Sequence, residues 1–162
     1  MLHLLARFGP GSTSFRPFLH RLRGVEVGKN VFIGDDVYLD NEHPEGIEIQ
    51  DGVQISIRAT ILAHTRGAGK IIFERDSYIG PHAVIVTSGG KMLRIGEGAV
   101  IGAGCVITRD VKPHTFISGE FGKPVAEARV PLTKAARMED FIRGLAPLRQ
   151  SGVKSQSDAK KD

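Results

Sequence analysis

From Val27 to Lys112 the apolar positions recur every six residues, and the recurrences fall into groups of three. Val27-Gly-Lys-Asn-Val-Phe, Ile33-Gly-Asp-Asp-Val-Tyr and a hexad opening on Leu39 form the first group. Later groups open on Ile49, Ile55 and Ile61, on Phe73, Ile79 and Ile85, and on Ile95, Ile101 and Ile107. Each phrase starts with a large apolar residue, tends to place a small residue second, and has another apolar residue fifth. Between groups the spacing stretches to 10, 12 and 10 residues, always after the third hexad. A three-sided coil explains this. One hexad forms each side, and the insertions leave from a single corner. A hexapeptide period of this kind is the signature of a parallel β-helix whose coils stack. The first positions should point inward as ladders, while glycine, aspartate and asparagine mark bends that favour positive φ. The expected fold is therefore an all-β solenoid of about four three-sided coils over residues 25–112.

The flanks break the period. Residues 1–24 hold two short helical stretches separated by Gly9-Pro10-Gly11. The second, from about Ser14 to Arg23, has Phe15, Phe18, Leu19 and Leu22 on one face and Arg16, His20, Arg21 and Arg23 on the other. This predicts a helical cap over the open apolar end of the first coil. The alternative is a basic amphipathic segment lying on an anionic membrane surface. Residues 113–131 read as extended and turn-rich, and 132–149 as a helix carrying Ala136, Met138, Phe141, Ile142 and Leu145. The polar stretch 150–162 is predicted to be disordered.

Composition adds little beyond this. The 162 residues contain one cysteine, so no internal disulfide can form, which fits a reducing, cytoplasmic setting. No apolar run approaches a membrane span, and no secretory leader is expected. The net charge of +4 is modest and scattered, with few aromatics, so no nucleic-acid face is indicated.

Candidate chemistry gathers at the interrupted corner. His64 follows Ile61 by three residues, at the mouth of the longest insertion, His64-Thr-Arg-Gly-Ala-Gly-Lys70. A histidine fixed by a coil but facing a loop is well placed for a general base. The first insertion, Asp40-Asn-Glu-His-Pro-Glu-Gly46, leaves the same corner, so the two insertions should be neighbours. Acceptor contacts are expected from Asp40, Asn41, His43 and Arg66. His82 occupies an ordinary outward corner of the third coil, and Cys105 a core-filling fifth position. Gly67-Ala-Gly-Lys70 fails the phosphate-loop pattern, because Ile71 follows the lysine.

Three phrases together resemble the hexapeptide-repeat acyltransferases, specifically the sugar O- and N-acetyltransferase branch. They are Ile61-Leu-Ala-His-Thr65 ahead of its loop, Ile95-Gly-Glu-Gly-Ala-Val through Pro113, and Gly122-Lys-Pro-Val-Ala-Glu-Ala-Arg129. The resemblance implies a left-handed parallel β-helix, a homotrimer, and acetyl-CoA as co-substrate with no metal. It implies His64 as the base that deprotonates a hydroxyl or amine of a sugar or sugar-nucleotide acceptor. It also implies that CoA lies near Gly80, Ala83, Gly102, Ala103, Thr108 and Arg109, with Arg109, Lys123 and Arg129 available to the nucleotide phosphates. Three departures stand out: Tyr78 where the family favours tryptophan, His82 where asparagine is usual, and the insertion Ser88-Gly-Gly-Lys-Met-Leu93. Two other readings use the same solenoid. One is a carbonic anhydrase-like metalloenzyme, which would need a histidine five residues after His82, where Thr87 stands. The other is a non-catalytic scaffold.

Overall fold

The computed structural model describes residues 2–119 and 126–147. The chain divides into two compact units, Met1–Gly119 and Glu120–Asp162.

In the first unit the hexads form three parallel sheets. One takes Glu26–Val27, Ile47–Ile49, Lys70–Phe73 and Met92–Ile95. A second takes Phe32–Ile33, Gln54–Ile55, Tyr78–Ile79, Val100–Ile101 and Phe116–Ile117. The third takes Tyr38–Leu39, Thr60–Thr65, Val84–Ser88 and Val106–Ile107. Register follows the repeat. Val27 pairs with Ile49 and Ile49 with Phe73, and Ile33, Ile55, Ile79 and Ile101 stack likewise. Those first positions are buried ladders, and burial of each such side chain stabilises by about 1.5–3 kcal/mol. The structure is a parallel β-solenoid of four coils.

The two small positions of the hexad have different physical roles. In the first two hexads of each coil the fourth position adopts left-handed backbone whatever its side chain: Asn30, Asp36, Arg58, Asp76 and His82 have φ of 53–57°, and Gly52, Gly98 and Gly104 have φ of 61–74°. Each later corner donates its N–H to the third-position carbonyl one coil earlier, as from Gly52 to Lys29 (2.9 Å) and from His82 to Ile57 (3.1 Å). Second-position glycines do not need positive φ; they allow close approach. A Cβ on Gly34 would lie 2.7 Å from the Ile57 nitrogen, and one on Gly80 the same distance from the Ile101 oxygen.

The solenoid also continues past residue 112. Val111 bridges Ile95, and Phe116–Ile117 pairs with Val100–Ile101, starting a fifth, partial coil. The last corner carries no insertion, so the chain returns to the first sheet within four residues of Ile107. That short step ended the six-residue count early, and the stretch read as turn-rich from 113 begins inside the solenoid.

The N-terminal helices, α1 (Leu2–Phe8) and α2 (Phe15–Leu22), are oriented against expectation. Leu19 packs inward, but so do Arg16 and His20, while Phe15, Phe18 and Leu22 face out. The reason is the chemistry of what they meet. Arg16 donates to the carbonyls of Gly9 (2.6 Å) and Ile33 (2.7 Å) and to the Asp35 carboxylate. Backbone acceptors at the end of a coil must be satisfied, and here a buried guanidinium does so.

In the second unit, Glu127–Ala128 pairs antiparallel with Leu145–Ala146, and α3 spans only Met138–Arg143. The helix expected over 132–149 is thus cut to six residues. Gly144 ends it, and its carbonyl accepts the Arg129 N–H at 2.9 Å. Lys123 and the 150–162 stretch lie outside the described residues.

Candidate active site

The site is built where the third sheet meets the interrupted corner. Leu39 pairs with Ile61, so the residues just beyond them, Asp40 and the Ala63-His64 segment, emerge side by side. The local sequence shapes both. Asp40 makes a side-chain turn, its Oδ1 accepting the N–H groups of Glu42 (3.1 Å) and His43 (3.3 Å). Its Oδ2 accepts the Ala63 N–H at 2.9 Å and the Nδ1–H of His64. Asp40 is 0% exposed, whereas the His64 ring is one-third exposed at the mouth of the loop.

Electrostatics follow from these contacts. Burial works to raise the Asp40 pKa, but the hydrogen bonds from His64, Ala63, Glu42 and His43 outweigh it and hold the carboxyl below the usual range. The Asp40 hydrogen bond, against a smaller opposing effect of desolvation, raises the His64 pKa above its ordinary value. A carboxylate can only accept, so Nδ1 carries the proton, and in the neutral ring Nε2 is the basic nitrogen. Nε2 faces outward, with the Glu42 carboxylate 3.3 Å away. An oriented imidazole with a buried carboxylate behind it is the arrangement of a general base.

The three insertions stack as tiers around this pair. The two ring nitrogens of His43 meet the Glu45 carboxylate (2.9 Å) and the Gly69 carbonyl (3.1 Å), linking the first insertion to the second. Gly46 must be glycine for this, because a Cβ there would sit 2.4 Å from the His43 ring. The second insertion rests on the third through the Thr65 hydroxyl and the Thr87 carbonyl, and through Lys70 N–H to the Lys91 carbonyl (3.0 Å). The extra residues 88–93 therefore support the His64 loop.

The remaining candidates separate. Asp40, expected to touch acceptor, is buried behind His64 and orients it instead. Asn41 accepts from Arg23 at 2.7 Å. Arg66 is exposed on the loop turn at φ 60°. Ala83, expected near CoA, is 0% exposed and belongs to the core, because a fifth position points inward. Gly80 is pressed against the next coil. Gly102 and Ala103 reach the surface, and Thr108 and Arg109 line a cavity of about 280 Å³ with Val106, Asp110 and Ile117. Arg129 is an exposed residue of the second unit. His82 is an exposed left-handed corner, as its outward position predicts. Sequence reasoning did not anticipate that Glu42 lies beside Nε2 of His64 or that Asp40 is buried against its Nδ1. The Leu39–Ile61 pairing was the signal that would have placed both beside His64.

No protein-family model matches the chain. Among curated proteins it is 33% identical over 123 residues to a serine acetyltransferase of Bacillus pumilus, covering 73% of this chain and 55% of that one. A 2,3,4,5-tetrahydropyridine-2,6-dicarboxylate N-acetyltransferase of Staphylococcus aureus is 36% identical over 61 residues, 38% of this chain and 24% of its own length. The chain spans about half the length, or less, of these two relatives. The crystal structure of a hexapeptide-repeat-containing acetyltransferase from Vibrio cholerae superposes with a TM-score of 0.49 and 22% identity, covering 73% of this chain and 81% of that one. The homologues are named acetyltransferases, the class that the Ile61–Thr65 and Ile95–Pro113 phrases resemble.

Proposed function

We propose that this chain, a hexapeptide-repeat solenoid with acetyltransferase homologues, moves an acetyl group from acetyl-CoA to a hydroxyl or amine, with His64 as general base. The observation that carries the proposal is the buried Asp40 carboxylate bonded to Nδ1 of a one-third-exposed His64 at the looped corner.

In this reaction Nε2 takes the proton of the acceptor O–H or N–H, and the freed lone pair attacks the thioester carbonyl. The C–S bond then breaks, and the departing CoA thiolate recovers the proton from the imidazolium. Asp40 holds the ring in the tautomer that leaves Nε2 basic and stabilises the imidazolium that forms. Nε2 must be unprotonated and released from Glu42 before an acceptor can bind there. Thr108 and Arg109, beside their cavity, and the partly exposed Gly102 and exposed Ala103 are the CoA contacts this reading favours.

Our reading of the acceptor is a sugar or sugar nucleotide, supported by the resemblance of the repeat phrases; the relatives named for serine and for a cyclic dicarboxylate place amino acids beside sugars in any test. A homotrimer is supported by the resemblance of the repeat phrases, and the outward faces carry exposed apolar side chains that a second copy could cover: Tyr78 and Phe116 on the second sheet, Val106 on the third and Met92 on the first.

The test is CoA-thiol release from acetyl-CoA over a panel of sugars, sugar nucleotides and amino acids, with mass spectrometry of products. His64→Ala should lose about 10²–10⁴-fold, the usual worth of a general base. Equal release by the variant removes His64 from the mechanism, and no turnover with any acceptor favours the scaffold reading.

A further inference from the structure

The outer surface of the N-terminal cap is apolar, which inverts the rule that a solenoid's terminal repeat turns a polar face to water. α1 packs on α2, burying only the small Ala6 (0%), and α2 buries Leu19 (4%) with Arg16 and His20. The large side chains are left outside. Leu4 and Leu5 are 50% and 48% exposed and Phe8 61%, and on α2 Phe15, Phe18 and Leu22 are 42%, 48% and 59% exposed. Apolar patches of this kind beyond a few hundred Å² mark a surface that something covers.

We propose that this two-helix face docks the protein on an anionic lipid surface. Charge favours that occupant. Residues 1–24 contain four arginines and no aspartate or glutamate. Arg7 and Arg16 are neutralised by Asp36 and Asp35. Arg21 and Arg23 bond only to uncharged groups among the described residues: Arg21 to the carbonyls of Val27 (2.9 Å) and Gly28 (2.5 Å), Arg23 to Asn41, to the carbonyls of Leu39 and Asp40, and to His20. The cap therefore keeps the exposed Arg21 without a carboxylate partner on the same helix as Phe18 and Leu22, while Arg23, half-buried against the Leu39 and Asp40 carbonyls, is partly offset by the Asp40 charge.

The polar inventory argues against a protein partner. A specific protein interface uses about one hydrogen bond per 100–200 Å². Here the arginine donors nearest the patch are spent on the chain's own carbonyls and amide, so outward they offer charge but little directional bonding. A lipid headgroup layer asks for apolar burial and positive charge alone. Neither helix is long enough to cross a membrane, so the contact lies in the interface. The docking is independent of the acetyl-transfer proposal and is tested without a turnover assay.

The test floats the full-length protein with phosphatidylcholine vesicles made with and without phosphatidylglycerol. The protein should float with the anionic vesicles and much less with the neutral ones, and added salt should weaken the association. Phe18→Ser with Leu22→Ser should reduce binding at least tenfold while circular dichroism and melting stay as in the wild type, because both side chains are already half in water. Arg21→Glu should weaken binding to anionic vesicles without touching the apolar face. No flotation of the wild type, or undiminished flotation of the double variant, overturns the proposal. A double variant that falls in mass by sedimentation, where the wild type ignores vesicles, overturns it in favour of a second copy as the occupant.

Discussion

Asp40 and His64 make a testable pair because their effects on pH dependence have opposite signs. As the proposed base, His64 must be neutral, and Asp40 raises its pKa, so activity should fall with acid already above the ordinary histidine range. Asp40→Asn should move that acidic limb to lower pH and, by releasing the tautomer, cut the plateau by about 10²–10⁴-fold. A pH profile of kcat/KM checks it, and an unmoved limb would mean that Asp40 does not set the base. Glu42→Gln removes the second carboxylate from Nε2 at 3.3 Å, so the limb should again move down while the plateau is kept. In stability the raised histidine and the lowered carboxyl reinforce each other. The His64 contribution is present below its unfolded pKa and fades as pH rises through the raised one; that of Asp40 is lost as pH falls through its lowered one. At His82 the expectation is different. His82→Gly relieves a left-handed φ of 56° and should stabilise by up to ~1 kcal/mol with turnover unchanged, as measured by melting and thiol release.

One element, the cap, reaches the site through an arginine. Arg23 donates to His20 Nδ1 (2.9 Å) and to the Asp40 carbonyl (2.9 Å), linking α2 to the turn that presents the carboxylate. Burial first, and then the charge of Arg23, lower the His20 pKa to about 4. The unfolded chain therefore binds the extra proton between the ordinary histidine value and about 4, and stability falls as pH drops through that window. A shift of this size corresponds to about 3 kcal/mol, and it should appear as loss of amide protection in α2 on acidification. His20→Gln, which cannot take the proton, should flatten that dependence; protection that still collapses by the same amount would assign it elsewhere. The orientation of this element was not legible in the sequence. The pattern of Phe15, Phe18, Leu19 and Leu22 correctly marks an amphipathic helix, but pattern alone assumes that the apolar face goes inward. The coil end instead offers the Ile33 carbonyl and the Asp35 carboxylate, and Arg16 answers them. The same limit applies to Asp40. Its loop was placed at the right corner, yet a buried orienting carboxylate and an acceptor contact are the same letter in a sequence.

At the scale of the whole solenoid, legibility was high because one steric rule repeats. Inward first positions recur from Val27 to Ile107, and left-handed fourth positions recur in the first two hexads of every coil, lapsing at the corner from which the insertions leave. Each coil touches only its neighbours, so damage should be local to the seam it opens. Gly34 and Gly96 make the same close approach at different seams, to the Ile57 nitrogen (2.7 Å) and the Pro113 nitrogen (2.4 Å) respectively. An added methyl must push two backbones apart, at about 1–3 kcal/mol. Gly96→Ala should therefore expose the bonds to the partial fifth coil, Gly96 to Val111, Val100 to Thr115 and Gly102 to Ile117, while earlier coils stay protected. Gly34→Ala opens the seam between the first two coils, where Asp40 and His64 meet, and should lower both the melting temperature and acetyl transfer. Gly104→Ala is the control for backbone strain. Nothing lies within 4 Å of its Cβ, and its φ of 68° alone should cost about 1–2 kcal/mol. Hydrogen exchange resolved by peptide distinguishes the three. If Gly96→Ala loosens the first coil as much as the last, the molecule unfolds as one cooperative block and not coil by coil.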